Sequence, residues 1–170
     1  MKVASFDIVF QEIPGEVTLA LNFSNCPCHC QGCHSPHLAE DIGEPLTEEL
    51  LSGLIDRYGA RITCVAFMGG DAEPKTVAKW AEWIKNHKSQ FTNHKSVLRT
   101  AWYSGRPSFP NTLNNQIIPN TPTPFDYVKL GPYVEALGGL KSEKTNQRLY
   151  KRVGDKWEDI TSVFWKKRFE

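Results

Sequence analysis

With 170 residues, 40% of them hydrophobic and 23% charged, and a formal net charge of +1, the chain has the make-up of a single globular domain with a sizeable core. The near-neutral balance gives no electrostatic footprint for nucleic acid or an acidic membrane surface. No run approaches the ~20 consecutive apolar residues that cross a bilayer.

The opening stretch, "MKVASFDIVF", lacks the apolar core of a secretory signal because Asp7 interrupts it and no small-residue cleavage site follows. The expected location is therefore the cytoplasm, where thiols stay reduced and a disulfide framework is disfavoured. "EVTLALNFSNC" reads as a buried strand from Val17 to Phe23 that runs directly into a cysteine loop spanning residues 24–37. Beyond the loop, Leu50, Leu51, Leu54, Ile55 and Tyr58 recur at helical spacing, with Thr47 as cap and Gly59 as stop. "ITCVAFMGGD" is a second apolar run closed by two glycines. "PKTVAKWAEWIKNH" repeats the helical period through Val77, Trp80, Ala81 and Ile84.

"SVLRTAWYSG" and "FDYVKLGPY" are third and fourth strand candidates. Strands alternating with helices argue for βαβ units and a mostly parallel sheet. Ligand sites in such sheets gather at the carboxyl ends of the strands, where the cysteine loop and the Gly-Gly-Asp turn both fall. Residues 106–124, rich in Pro, Asn and Thr, read as a long irregular connection, a lid or a plain surface loop. "RLYKRVGDKWEDIT" reads as a hairpin turning at Gly154-Asp155, inside a terminal hairpin and tail of residues 145–170. The basic end, "FWKKRFE", reads as a solvated tail rather than a phosphate patch.

The chemistry is concentrated in "CPCHCQGCH", residues 26–34, which holds four of the five cysteines. Cys26, Cys30 and Cys33 form C-x₃-C-x₂-C, with Cys28 as an extra thiol. Closely spaced thiolates in a loop hold iron–sulfur clusters, and three ligands on four irons would leave one iron free for a substrate. Other readings are a structural zinc site with His29, His34 or His37 replacing one thiolate, a Cys30–Cys33 redox pair, and a purely structural thiol cluster. Gly69 and Gly70 allow close approach of backbone to a ligand. Carbonyls there and the Asp71 carboxylate suit an amino group as acceptors, although a plain strand-to-helix turn capped by Asp71 would look the same. Cys64, flanked by apolar residues, reads as a small buried hydrophobe. Asn22, Ser104, Asp126 and Lys129 are polar residues on or near the strands, each within possible reach of a ligand or partner.

The cysteine spacing at the end of a strand resembles the motif of the radical S-adenosylmethionine (SAM) enzymes. "CQGCH" and "MGGD" resemble elements of the activases of glycyl-radical enzymes. "FDYVKLGPYVEALGGL" with "TNQRLY" resembles the carboxyl-terminal part of anaerobic ribonucleoside-triphosphate reductase activating proteins. The resemblance implies an incomplete (β/α) barrel over residues 1–170, a mostly parallel sheet with helices outside. It implies that Cys26, Cys30 and Cys33 ligate a [4Fe–4S] cluster and that Cys28 lies in a variable gap. SAM would be bound by the remaining iron, with Gly32, Cys33, His34, Gly69, Gly70 and Asp71, together with Ser104 and Lys129, around it. The implied partners are the catalytic subunit of the anaerobic reductase and a flavodoxin-like electron donor. Activation of another glycyl-radical enzyme or another radical SAM reaction, and a zinc-stabilised interaction module without catalysis, are the alternatives.

Overall fold

A computed structural model describes residues 1–87, 90–91, 97–109 and 123–165. Most of the expected irregular connection, residues 110–122, and the end of the basic tail, residues 166–170, lie outside the described residues. Eight strands form one sheet: β1 (Lys2–Val9), β2 (Thr18–Phe23), β3 (Glu44–Pro45), β4 (Cys64–Met68), β5 (Arg99–Tyr103), β6 (Tyr127–Leu130), β7 (Arg148–Val153) and β8 (Lys156–Asp159). Their spatial order is β3-β1-β2-β4-β5-β6-β7-β8. The two α-helices among the described residues are α1 (Glu48–Tyr58) and α2 (Pro74–Asn86).

The expected (β/α) barrel is not what forms. The sheet is mixed: β2, β4, β5 and β6 run parallel at its centre, while β1, β3, β7 and β8 pair antiparallel on the flanks. The cause is connection length. Only residues 10–17 join β1 to β2, and a parallel crossover needs a dozen residues or more. β7 and β8 are joined by Gly154-Asp155 alone, in register from Val153 to Lys156, as a two-residue hairpin requires. The link from β6 to β7 carries no helix, so β7 also returns antiparallel.

Both helices pack on one face of the sheet. Leu19, Leu21 and Phe23 of β2, Val65 and Phe67 of β4, Trp102 and Val128 form a buried cluster with Leu51, Leu54 and Ile55 of α1 and Val77, Ala81 and Ile84 of α2. The helical stripes follow from the 3.6-residue period. α1 starts where the Thr47 hydroxyl accepts the Leu50 N–H at 3.2 Å and ends at Gly59 with φ +49°. Pro74 opens α2, where a missing N–H costs nothing.

Neither α1 nor α2 packs on the opposite face. Cys64, Ala66, Ala101, Tyr127 and Leu149 cluster there with Ile13 of the β1–β2 loop, and Leu140, Ile160 and Phe164 pack against them. Loops and the terminal segment therefore cover this face. Across it, parallel register sets Asn22, Met68, Tyr103 and Lys129 in one row, at the last residues of β4 and β5 and one residue short of the carboxyl ends of β2 and β6.

Candidate metal centre

Because β2, β4, β5 and β6 run the same way, the segments that follow them leave from one edge of the sheet. These are the cysteine loop, the Gly69-Gly70-Asp71 turn, Ser104-Gly105-Arg106, and the Gly131–Leu140 segment. Hydrogen bonds then fix them against one another.

The cysteine loop leaves β2 through Asn25, which has φ +59°. Its start is anchored by the Asn25 N–H to the Glu40 carbonyl at 3.1 Å and by the Cys26 N–H to the Leu38 carbonyl at 2.9 Å. His29 and Gly32 also have positive φ, so the backbone turns twice within eight residues, 26–33. Inside the loop the Cys33 N–H donates to the Cys30 carbonyl at 3.2 Å, and the Ser35 N–H donates to Cys33 Sγ at 3.4 Å.

Cys26, Cys30 and Cys33, with His29, Ser35, Pro36 and Ala39, line a cavity of about 230 Å³. Cys28 is not part of this lining. Its thiol donates to Asp71 Oδ2 at 3.6 Å. Burial first, then the negative charge of Asp71 and the neighbouring Cys26, push the Cys28 thiol up to about 12. Among the described residues, no group of three or more His, Cys, Asp or Glu side chains is arranged to hold a single metal ion. Thiols spread around a cavity instead suit a cluster, in which each one binds a different iron.

Asp71 lies at the junction of these segments, with its side chain 2% exposed. The Ser104 hydroxyl donates to Oδ1 at 2.5 Å, the Gly105 N–H donates to Oδ2 at 2.9 Å, and an Arg106 guanidinium N–H donates to the Asp71 carbonyl at 2.7 Å. Both carboxylate oxygens therefore receive donors from the chain itself. The Gly69 carbonyl accepts the buried Trp102 indole N–H at 2.7 Å. A Cβ at Gly70, whose φ is +80°, would stand 2.6 Å from Val77 Cγ2, whereas at Gly69 the nearest atom would be 3.5 Å away. Gly70 is thus a glycine because α2 presses on it, a reason the sequence alone did not offer.

Lys129 is buried on β6 and donates to the Ser104 carbonyl at 3.2 Å and the Gly131 carbonyl at 2.6 Å. Burial lowers its ammonium to about 8, against the opposing pull of Asp71, Cys30, Cys28 and Cys33. It is the cation that faces the cysteine loop from the sheet. His34 meets the Tyr133 ring edge-on, with centroids 5.0 Å apart. A Cβ on Gly32 would lie 3.1 Å from the Glu135 carboxyl carbon. The segment after β6 therefore lies over the cysteine loop. Beside His34, a second cavity of about 650 Å³ opens, lined by Tyr103, Tyr133, Gln147, Lys141 and Glu12 among others.

Of the other polar residues singled out in the sequence, Asp126 and Asn22 make their hydrogen bonds elsewhere. Asp126 precedes β6, at the opposite edge of the sheet, where it accepts the Thr100 N–H and pairs with Lys85 and Arg152. Asn22 donates to the Ser5 hydroxyl across β1. Cys64 is fully buried, and burial raises its thiol further. Tyr133, Glu135, Gly105, Arg106 and Trp102 escaped the sequence reading. For the first two, the only available signal was their place in "GPYVEALGGL".

No helix among the described residues is long and apolar enough to cross a membrane. Comparison with curated proteins gave no match, and comparison with solved structures gave none. A family model described as a 4Fe-4S single cluster domain matches residues 14–107, which takes in the cysteine loop, the Gly-Gly-Asp turn and the end of β5. That match covers more than half of the 170 residues, so the chain belongs to the 4Fe-4S single cluster domain family.

Proposed function

We propose that this 4Fe-4S protein is an activase of the radical SAM class. It generates a glycyl radical on the catalytic subunit of an anaerobic ribonucleoside-triphosphate reductase, drawing electrons from a flavodoxin-like donor in the cytoplasm. The observation that carries the reading is which thiols line the cavity. Cys26, Cys30 and Cys33 share one cavity, while Cys28 is held by Asp71. A cluster that only carries electrons has every iron capped by the protein; three ligands for four irons leave a position for SAM.

When bound, the cluster and SAM supply a one-electron cleavage of the sulfonium S–C5′ bond to methionine and a 5′-deoxyadenosyl radical, which takes a hydrogen atom from the partner's glycine. The chain's own residues hold and orient these groups. Cys26, Cys30 and Cys33 carry the irons. The buried Lys129 ammonium offsets part of the negative charge that three thiolates gather at the strand ends. Gly69, whose missing Cβ would meet only the Phe23 carbonyl at 3.5 Å, lets the turn approach a ligand closely. His34 and Tyr133 flank the larger cavity, whose volume of about 650 Å³ falls in the range of small-molecule sites. Loops rather than helices cover that face, which suits a substrate that is itself a loop of another protein.

The test is to mix the anaerobically reconstituted, reduced protein with SAM and the candidate reductase subunit, then record its electron paramagnetic resonance spectrum. A glycyl-radical doublet with stoichiometric 5′-deoxyadenosine supports the reading. SAM that survives unchanged beside an intact reduced cluster sinks it.

A further inference from the structure

Cys28 has no role in the mechanism above, yet it is among the most constrained side chains in the loop. Its thiol reaches Asp71 Oδ2 at 3.6 Å, and the same oxygen takes the Gly105 N–H at 2.9 Å. Gly105 makes room for this arrangement: a Cβ there would fall 2.5 Å from Cys28 Sγ and 3.2 Å from its Cβ. Asp71 Oδ1 is held by the Ser104 hydroxyl at 2.5 Å, and that hydroxyl in turn accepts the Arg106 N–H at 3.0 Å. One buried carboxylate therefore ties the end of β4, the end of β5 and the cysteine loop together. Within residues 26–33, Cys28 supplies the only hydrogen bond to Asp71 among the described contacts.

We infer that Cys28 is a positioning residue: with Asp71 and Gly105 it latches the cysteine loop to the sheet, so that Cys26, Cys30 and Cys33 face one cavity. The loop's other outward hydrogen bonds lie at its entry: the Ser24 N–H donates to the Lys2 carbonyl of β1, while the Asn25 and Cys26 N–H groups and the Asn25 side chain lead to residues 38–41. Its middle would otherwise be steered only by packing against Glu135 and Tyr133, both on a loop themselves. A weak S–H donor suffices because its acceptor is a buried carboxylate already held rigid by stronger donors. The role belongs to retention of the cluster, so it rests on the 4Fe-4S reading of the site and not on SAM chemistry.

The experiment compares wild type, Cys28→Ala, Cys28→Ser and Gly105→Ala after identical anaerobic reconstitution, without SAM. Iron and sulfide per chain are measured first, then the rate of iron release to a ferrous chelator. The latch predicts the same iron content in all four. Release should be several-fold faster in Cys28→Ala and in Gly105→Ala, whose added methyl displaces the sulfur without altering any group of the loop. It should return toward the wild-type rate in Cys28→Ser, which keeps a donor. Iron content that falls in Cys28→Ala makes Cys28 a ligand and overturns the latch. Wild-type release from Cys28→Ala, or no recovery in Cys28→Ser, also overturns it, by reducing Cys28 to a bystander or to mere bulk. A wild-type chain that binds no cluster at all overturns the 4Fe-4S site itself, an outcome distinct from all of these.

Discussion

Replacing Gly70 by alanine separates the two reasons a glycine can stand in the Gly-Gly-Asp turn. The added Cβ would lie 2.6 Å from Val77 Cγ2 and 3.3 Å from Met1 Sδ, at a φ of +80°. Left-handed backbone costs an alanine ~1–2 kcal/mol, and forcing a methyl into packed core adds ~1–3 kcal/mol. Gly70→Ala should therefore destabilise by roughly 2–5 kcal/mol. Gly69→Ala has a φ of +89° but no neighbour closer than 3.5 Å, so only the backbone cost of ~1–2 kcal/mol applies. Val77→Ala, at a fully buried site, costs about 2 kcal/mol on its own from lost burial and the cavity left behind. In the double variant Gly70→Ala/Val77→Ala the clash is gone, so the sum of the singles should overshoot by about 1–3 kcal/mol. Urea unfolding of the reduced apoprotein, followed by tryptophan fluorescence, measures all four. Additivity within ~0.5 kcal/mol, or a Gly69→Ala more damaging than Gly70→Ala, would refute the assignment of Gly70 to helix packing.

Three further outcomes are expected. Cys26→Ala, Cys30→Ala and Cys33→Ala should each lose SAM cleavage together with iron, whereas Cys28→Ala should assemble the full complement; iron and sulfide analysis under nitrogen decides between them. Burial alone would raise the Asp126 carboxyl, but the Thr100 N–H, Lys85 and Arg152 outweigh it and hold it below the usual carboxylate value. The stability this gives is complete above the unfolded value and is lost as pH falls through the lower folded one. Asp126→Asn should therefore cost ~1–3 kcal/mol at neutral pH and begin to approach wild type only as pH falls from about 4 through the lowered folded value; stability curves that stay parallel into acid would contradict this. Trp102→Phe strips the Gly69 carbonyl of a donor held at 2.7 Å. It should destabilise by ~1–3 kcal/mol, and a neutral result in the same urea assay would show that the bond contributes nothing.

Much of the central scaffold was legible in the sequence. The runs ending at Phe23, Met68, Tyr103 and Leu130 are strands, and the stripes around Leu51 and Val77 are helices capped where Thr47, Gly59 and Pro74 place their ends. These features are local: apolar period, cap chemistry and the Gly-Asp hairpin are all written in adjacent residues. Strand direction on the flanks is not local. β1 shows no clean alternation because Ser5, Phe6 and Asp7 are all exposed on a flank. The antiparallel return follows from connection length, and the carry-over of a barrel overrode that clue. At the site, the cysteine spacing pointed to the cavity but said nothing of where Cys28 goes. That is decided by Asp71 and Gly105, some forty and more residues further along the chain and brought near by the parallel pairing of β2 with β4 and β4 with β5.

The whole account turns on an iron that no side chain occupies. SAM carrying ¹⁵N in its amino group and ¹⁷O in its carboxylate, added to the reduced protein, can be read by electron–nuclear double resonance on the cluster signal. Hyperfine coupling from both labels is the predicted result. A cluster signal unchanged by SAM, with neither nucleus coupled, would mean that the protein caps all four irons and that the proposed radical chemistry has no place to begin.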